Sequence, residues 1–148
     1  MPEKAKFTHP YDNKIVNDFK VRHTIKGMKK ETIYLVGDSG PEHNFVRSAH
    51  KNYEGAFKAW NKLRLYLLGE AKQGLKSSKE DAKKQLKEGK WSDNKPFTQE
   101  NIDYFRSVVE KGEDMYLRMV EKLSCDDPEK IENYPHDNPY IQKIEVQV

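Results

Sequence analysis

Cysteine is nearly absent. Cys125 is the single one, so no disulfide can form within the chain, and a reducing compartment is the expected setting. Long apolar runs are lacking too. The longest, Ile33–Val36 and Leu65–Leu68, fall far short of the ~20 residues a membrane-spanning helix needs. The opening Met-Pro-Glu-Lys-Ala-Lys has no apolar stretch behind it and the closing Val-Gln-Val carries no prenylation signal. A cytoplasmic protein with no membrane partner is therefore expected. No phosphate loop, dinucleotide fingerprint or zinc-finger spacing occurs, and no cofactor or metal is expected. There is no internal repeat, and the only compositional bias is a lysine-rich stretch.

What the chain does have is charge. Charged residues make up 34% and hydrophobic ones 35% of 148 residues, which predicts a modest core under a wet surface in a single domain spanning 1–148. Two Trp, eight Tyr and six Phe spread along the chain argue against disorder. The net charge of +3 hides a polarity. Residues 1–30 carry eight Lys/Arg against three Asp/Glu and residues 51–95 twelve against six, whereas residues 126–148 carry two against six. Basic and acidic segments either face each other in the fold or face different partners.

The periodicities predict an α+β domain. Residues 1–14 read as an extended polar arm. Phe19, Val21, His23 and Ile25 alternate with Lys20, Arg22 and Thr24, the pattern of a half-buried strand. Thr32–Val36, richer in apolar residues, reads as a more central strand, and Asn44–Ser48 as a third. Asn52 is a candidate cap for a helix that places Tyr53, Ala56, Phe57, Trp60, Leu63, Leu67 and Ala71 on one face. Gly74 is expected to end it, and Ser77 with Glu80 to form a capping box for a short lysine-rich helix reaching Gly89, followed by a loop to Phe97. Thr98 is a candidate cap for the last long helix, where Ile102, Phe105, Val109, Gly112, Tyr116, Met119 and Leu123 step by three and four along a heptad seam. Asp127-Pro128 predicts a further short helix, and the alternation over Tyr140–Val148 a strand returning to the sheet. The expectation is a small antiparallel sheet in β-β-β-α-α-α-β order, covered on one face by two long amphipathic helices and one short lysine-rich helix.

Candidate chemistry is sparse. Gly37-Asp38-Ser39-Gly40-Pro41 resembles the segment around the nucleophilic serine of trypsin-like proteases. That fold needs two β-barrels, and here the segment joins two short strands, so a hairpin turn is the reading. His43 and His50 flank the third strand with Asp38 nearby, but their spacing gives no shared helical face, and loop and helix-start roles are expected for both. The acidic run Asp126, Asp127, Glu129, Glu132 and Asp137 could bind a cation or a basic partner, but helix capping and solvation are the favoured reading. A catalytic carboxylate pair has no sequence signature, so an enzyme without a motif stays open.

The lysine-rich region within 72–97 offers the one candidate surface. Lys72, Lys76, Lys79, Lys83, Lys87 and Lys90 recur every three or four residues, with Lys84 beside them, which groups them on one side of a helix. The residues assigned to partner binding are Lys76, Lys79, Lys83, Lys84, Lys87, Lys90 and Trp91. They fit an acidic protein surface or the phosphates of a nucleic-acid-containing complex, with Trp91 and Phe97 available for stacking. Glu80, Asp81 and Glu88 interrupt the stripe and favour a plain solvated face, and the lack of arginine weakens base readout. The seam from Ile102 to Leu123 offers a surface for self-assembly, as in a virion component.

Asn44-Phe45-Val46-Arg47-Ser48, followed by Asn52-Tyr53-Glu54-Gly55-Ala56-Phe57-Lys58-Ala59-Trp60, resembles small accessory proteins of tailed bacteriophages, in which a hairpin or meander leads into an aromatic-rich amphipathic helix. The resemblance covers about a third of the chain and transfers no functional residue. It implies a non-enzymatic interaction protein, a phage-encoded modulator or inhibitor of a host macromolecular complex acting in the host cytoplasm. Direct nucleic-acid binding through the lysine stripe is the alternative.

Overall fold

The computed structural model describes residues 30–134 and 136–147. Elements follow in the order β1 (Lys30–Ser39), β2 (Asn44–His50), α1 (Tyr53–Glu88), α2 (Gln99–Lys111), α3 (Asp114–Leu123) and β3 (Asn138–Gln147). The three strands form an antiparallel sheet in the order β2-β1-β3. The chain is thus α+β, and β1, which contains the apolar Thr32–Val36 segment, takes the centre, paired along both edges. The strand expected over Phe19–Ile25 and the arm over 1–14 lie outside the described residues.

The chain divides into two compact units, one described over residues 30–67 and 122–147 and one formed by Leu68–Glu121. In the first, β1 runs through the segment expected to turn. Gly37, Asp38 and Ser39 are strand residues paired with Tyr140, Pro139 and Asn138, and the turn is displaced to Gly40–His43, closed by a bond from the Gly40 amide to the His43 carbonyl. The reason is packing at Gly37. The Tyr140 ring crosses it so that the Tyr140 hydroxyl donates to Asn44 Oδ1 at 2.6 Å, and a β-carbon at Gly37 would lie 2.6 Å from that hydroxyl oxygen. Between β1 and β2 the register slips from Val36↔Ser48 to Gly37↔Val46, leaving Arg47 as an extra residue in a β-bulge.

Asn52 caps α1 as its sequence position predicts: its side-chain oxygen accepts from the Gly55 amide at 2.8 Å. The first turns of α1 then build a ring ladder from Tyr34 of the sheet to Tyr53, Phe57 and the fully buried Trp60. Arg64, buried one turn on, donates to the Leu123 carbonyl at 2.6 Å. It thereby satisfies a carbonyl left unpaired at the C-terminus of α3. Leu123, Ile131 and Ile141 complete this core. The short helix expected after Asp127 is a single turn, in which the Asp127 carboxylate accepts from the Glu129 amide.

In the second unit two expectations are corrected. Helix α1 does not end at Gly74, and no second helix starts at Ser77: one helix of 36 residues runs through both. Gly74 is there for close packing, since a β-carbon would lie 2.7 Å from Cζ of the Tyr116 ring in α3. Ser77 makes no capping box; its hydroxyl accepts from Gln73 at 3.4 Å. Conversely, the last long helix is two helices. Thr98 and Asn101 form a reciprocal capping box at the start of α2, but Gly112, at φ 95° and ψ 177°, breaks the chain before α3. That conformation is open only to glycine, and the Leu75 side chain sits against the position a β-carbon would take. The heptad seam from Ile102 to Leu123 is therefore not one continuous surface, and Met119 and Leu123 are buried within the fold.

Candidate functional site

The sequence-assigned lysines lie in the second unit, on α1 and just after it. Lys76, Lys83, Lys84 and Lys87 are exposed on the helix, and Lys90 is exposed beyond its end. Because α1 is unbroken, Lys76, Lys83 and Lys87 project from one side of a single continuous element. Among the described residues, no ion pair joins any of these five lysines to a carboxylate. Lys79 behaves differently. It is half-buried, and its ammonium points at the Glu110 carbonyl, 3.5 Å away near the C-terminus of α2, where a cation is favoured.

Trp91 is 42% exposed, but its ring is engaged, with centroids 4.8 Å from Phe97 and 5.9 Å from Phe105. The loop that carries it is ordered by a Lys90↔Pro96 bridge and a Trp91 amide bond to the Lys95 carbonyl. Next to this aromatic cluster lies a cleft of about 230 Å³ lined by Ala82, Gln85, Trp91, Phe105 and Val108, with Asp81 and Glu113 among its walls.

A second polar constellation lies in the first unit, where the end of β1, the turn after it and the start of β3 meet. Asp38, 3% exposed, is gripped by Arg47, whose Nε lies 2.6 Å from Oδ1 and whose Nη2 lies 3.3 Å from Oδ2. The β-bulge turns Arg47 onto this carboxylate, and the hydrogen bond to Asp38 raises the guanidinium above its ordinary pKa. His43 Nε2 stands 3.4 Å from Asp38 Oδ2, and the exposed Phe45 ring is stacked by the His43 imidazole and covered by the Arg47 guanidinium.

Asp137 reaches the same place from the other end of the chain. One donor atom from each of Asp38, His43 and Asp137 lies within 4.8 Å of the other two. Asp137 has a left-handed backbone, φ 52°, and its Oδ2 is held 2.9 Å from His136 Nδ1. Beside it, the Lys122 ammonium donates to the His136 carbonyl and to Asn138 Oδ1, while Asn138 donates to the Ser39 carbonyl at 3.1 Å. Burial pushes Lys122 down to about 8, against the opposing pull of Asp137 and then Glu132.

Of the residues weighed for chemistry from sequence, the structure brings Asp38 and His43 together and leaves His50 apart, bonded to Ser48 at 2.7 Å. Ser39 is 1% exposed, so its hydroxyl is not presented to solvent as a protease nucleophile would need. Arg47, His136 and the role of Asp137 were not legible as a site. The signal that leads to them is the β1–β3 register, which sets Asn138 opposite Ser39 and so delivers Asp137 to the end of β1. No protein-family model, curated protein or solved structure matches the chain. Among the described residues, no helix is long and apolar enough to cross a membrane.

Proposed function

We propose that the protein is a non-enzymatic binding protein that engages an acidic macromolecular surface through Lys76, Lys83, Lys84, Lys87 and Lys90. The observation that carries this reading is that these five exposed lysines have no carboxylate partner among the described residues. Positive charge held without internal compensation on a rigid element supports attraction of an anionic partner. Trp91 lies at the edge of the surface and, packed on Phe97 and Phe105, fixes the end of the patch. Lys79 contributes to the fold at α2 rather than to the partner. The resemblance of residues 44–60 to phage accessory proteins belongs to this proposal, with a host complex as the partner.

The test uses the full chain and two probes, a poly-glutamate peptide and a DNA duplex, each titrated at low and moderate salt. Binding to the acidic peptide, lost in the Lys83→Glu/Lys84→Glu/Lys87→Glu variant with the melting curve unchanged, is the expected result. Binding to both probes that survives the triple reversal would reduce the stripe to a solubility face. Tight duplex binding whose affinity falls steeply with salt would instead favour direct nucleic-acid recognition.

A further inference from the structure

We propose that Asp38, His43 and Asp137 form a binding site for a divalent transition-metal ion of the zinc class, independently of the lysine surface. Two carboxylates and one imidazole converge so that one donor atom from each lies within 4.8 Å of the others. The Asp38–His43 pair is the most telling. His43 Nε2 and Asp38 Oδ2 are 3.4 Å apart, which is long for a hydrogen bond, usually about 2.9 Å. It matches the separation of two ligands on one tetrahedral ion, about 3.3–3.4 Å for metal–donor bonds near 2.0–2.1 Å.

The surroundings orient these donors as the outer partners of metal ligands do. Arg47 Nε holds Oδ1 of Asp38 at 2.6 Å, leaving Oδ2 turned toward His43 with only the longer 3.3 Å contact from Nη2 to give up. Stacking on Phe45 fixes the His43 ring plane. His136 Nδ1 holds one oxygen of Asp137. The two carboxylates face the Arg47 guanidinium at Asp38 and the Lys122 ammonium near Asp137, so a bound ion would compete with both cations for their oxygens. An imidazole in the set selects against calcium and magnesium, which take oxygen donors in greater number. Three protein donors leave a fourth position for water or an external ligand.

The experiment is calorimetric titration of the metal-stripped full chain with Zn²⁺ alone near neutral pH, with Mg²⁺ and Ca²⁺ in parallel. One equivalent of Zn²⁺ should bind and raise the melting temperature. His43→Gln and Asp137→Asn should each weaken binding at least tenfold, while His50→Gln and Cys125→Ser leave it unchanged. His43 is at the surface of the cluster, so its variant tests the site even where Asp137→Asn disturbs the fold. Absence of Zn²⁺ binding, binding indifferent to His43→Gln, or preference for Mg²⁺ or Ca²⁺ would overturn the proposal.

Discussion

Over Tyr53–Leu67, helix α1 buries Ala56, Trp60 and Arg64, whereas over Leu68–Glu88 it buries only Ala71 and Ala82. The first half is anchored by a large ring and by a guanidinium bonded to the end of α3; the second is held by small residues that permit close approach. Cohesion of the second unit rests on Val108, Met119 and the Trp91, Phe97 and Phe105 rings outside α1, with close fit at Gly74 and Gly112. That difference leaves the second half free to carry uncompensated charge, because Lys76, Lys83, Lys84 and Lys87 stay in water, and Lys79 alone of the stripe on this helix turns toward α2.

The contrast can be broken most sharply by truncation. Trp60→Ala should cost about 3–5 kcal/mol in urea unfolding, while Leu86→Ala, at a half-buried position of the second half, should cost about 1 kcal/mol. Equal losses would mean that the two halves are anchored alike. Gly112→Ala should cost about 1–3 kcal/mol through backbone strain, with added crowding against Leu75. A neutral outcome in thermal melts would show that the α2–α3 break is not fixed by glycine.

Charge gives the smaller effects. Lys122 has a folded pKa of about 8 against an ordinary 10.5. Between those values the unfolded chain binds its proton more tightly than the folded one, so the stability contribution of this group should rise with pH across that window. Below it both states hold the proton and the burial penalty is felt in full. Melting the metal-free chain from pH 7.5 to 10 checks this, and Lys122→Met should flatten the rise. The triple lysine reversal on α1 should move stability least, each substitution staying within about 0.5 kcal/mol.

Much of the fold is legible along the chain, because strands β1, β2 and β3, the Asn52 cap and the Thr98 cap each follow from local pattern. The turn expected at Gly37–Pro41 is strand as far as Ser39 because Tyr140 packs over Gly37, and the two misread helix boundaries share one cause. Gly74 and Gly112 are both glycines inside apolar helical periodicity, yet one is continuous helix under a tyrosine ring and the other a break at positive φ. Only the packed neighbour distinguishes them, and no local signal names it. The Asp38 cluster was half legible for the same reason. Asp38 and His43 are near in sequence, but Asp137 joins them only through strand pairing across most of the chain.

The extra residue at Arg47 has a consequence at the level of assembly. Among the described strands, β2 lies at one edge of the sheet, with Phe45 and Val46 exposed, which is the kind of strand onto which another chain can add its own. A regular edge would offer evenly spaced amides and carbonyls as a template. The bulge interrupts that spacing and sets a cation in the middle of it, so among the described strands the residue that holds Asp38 also makes β2 a poorer template for edge-to-edge pairing.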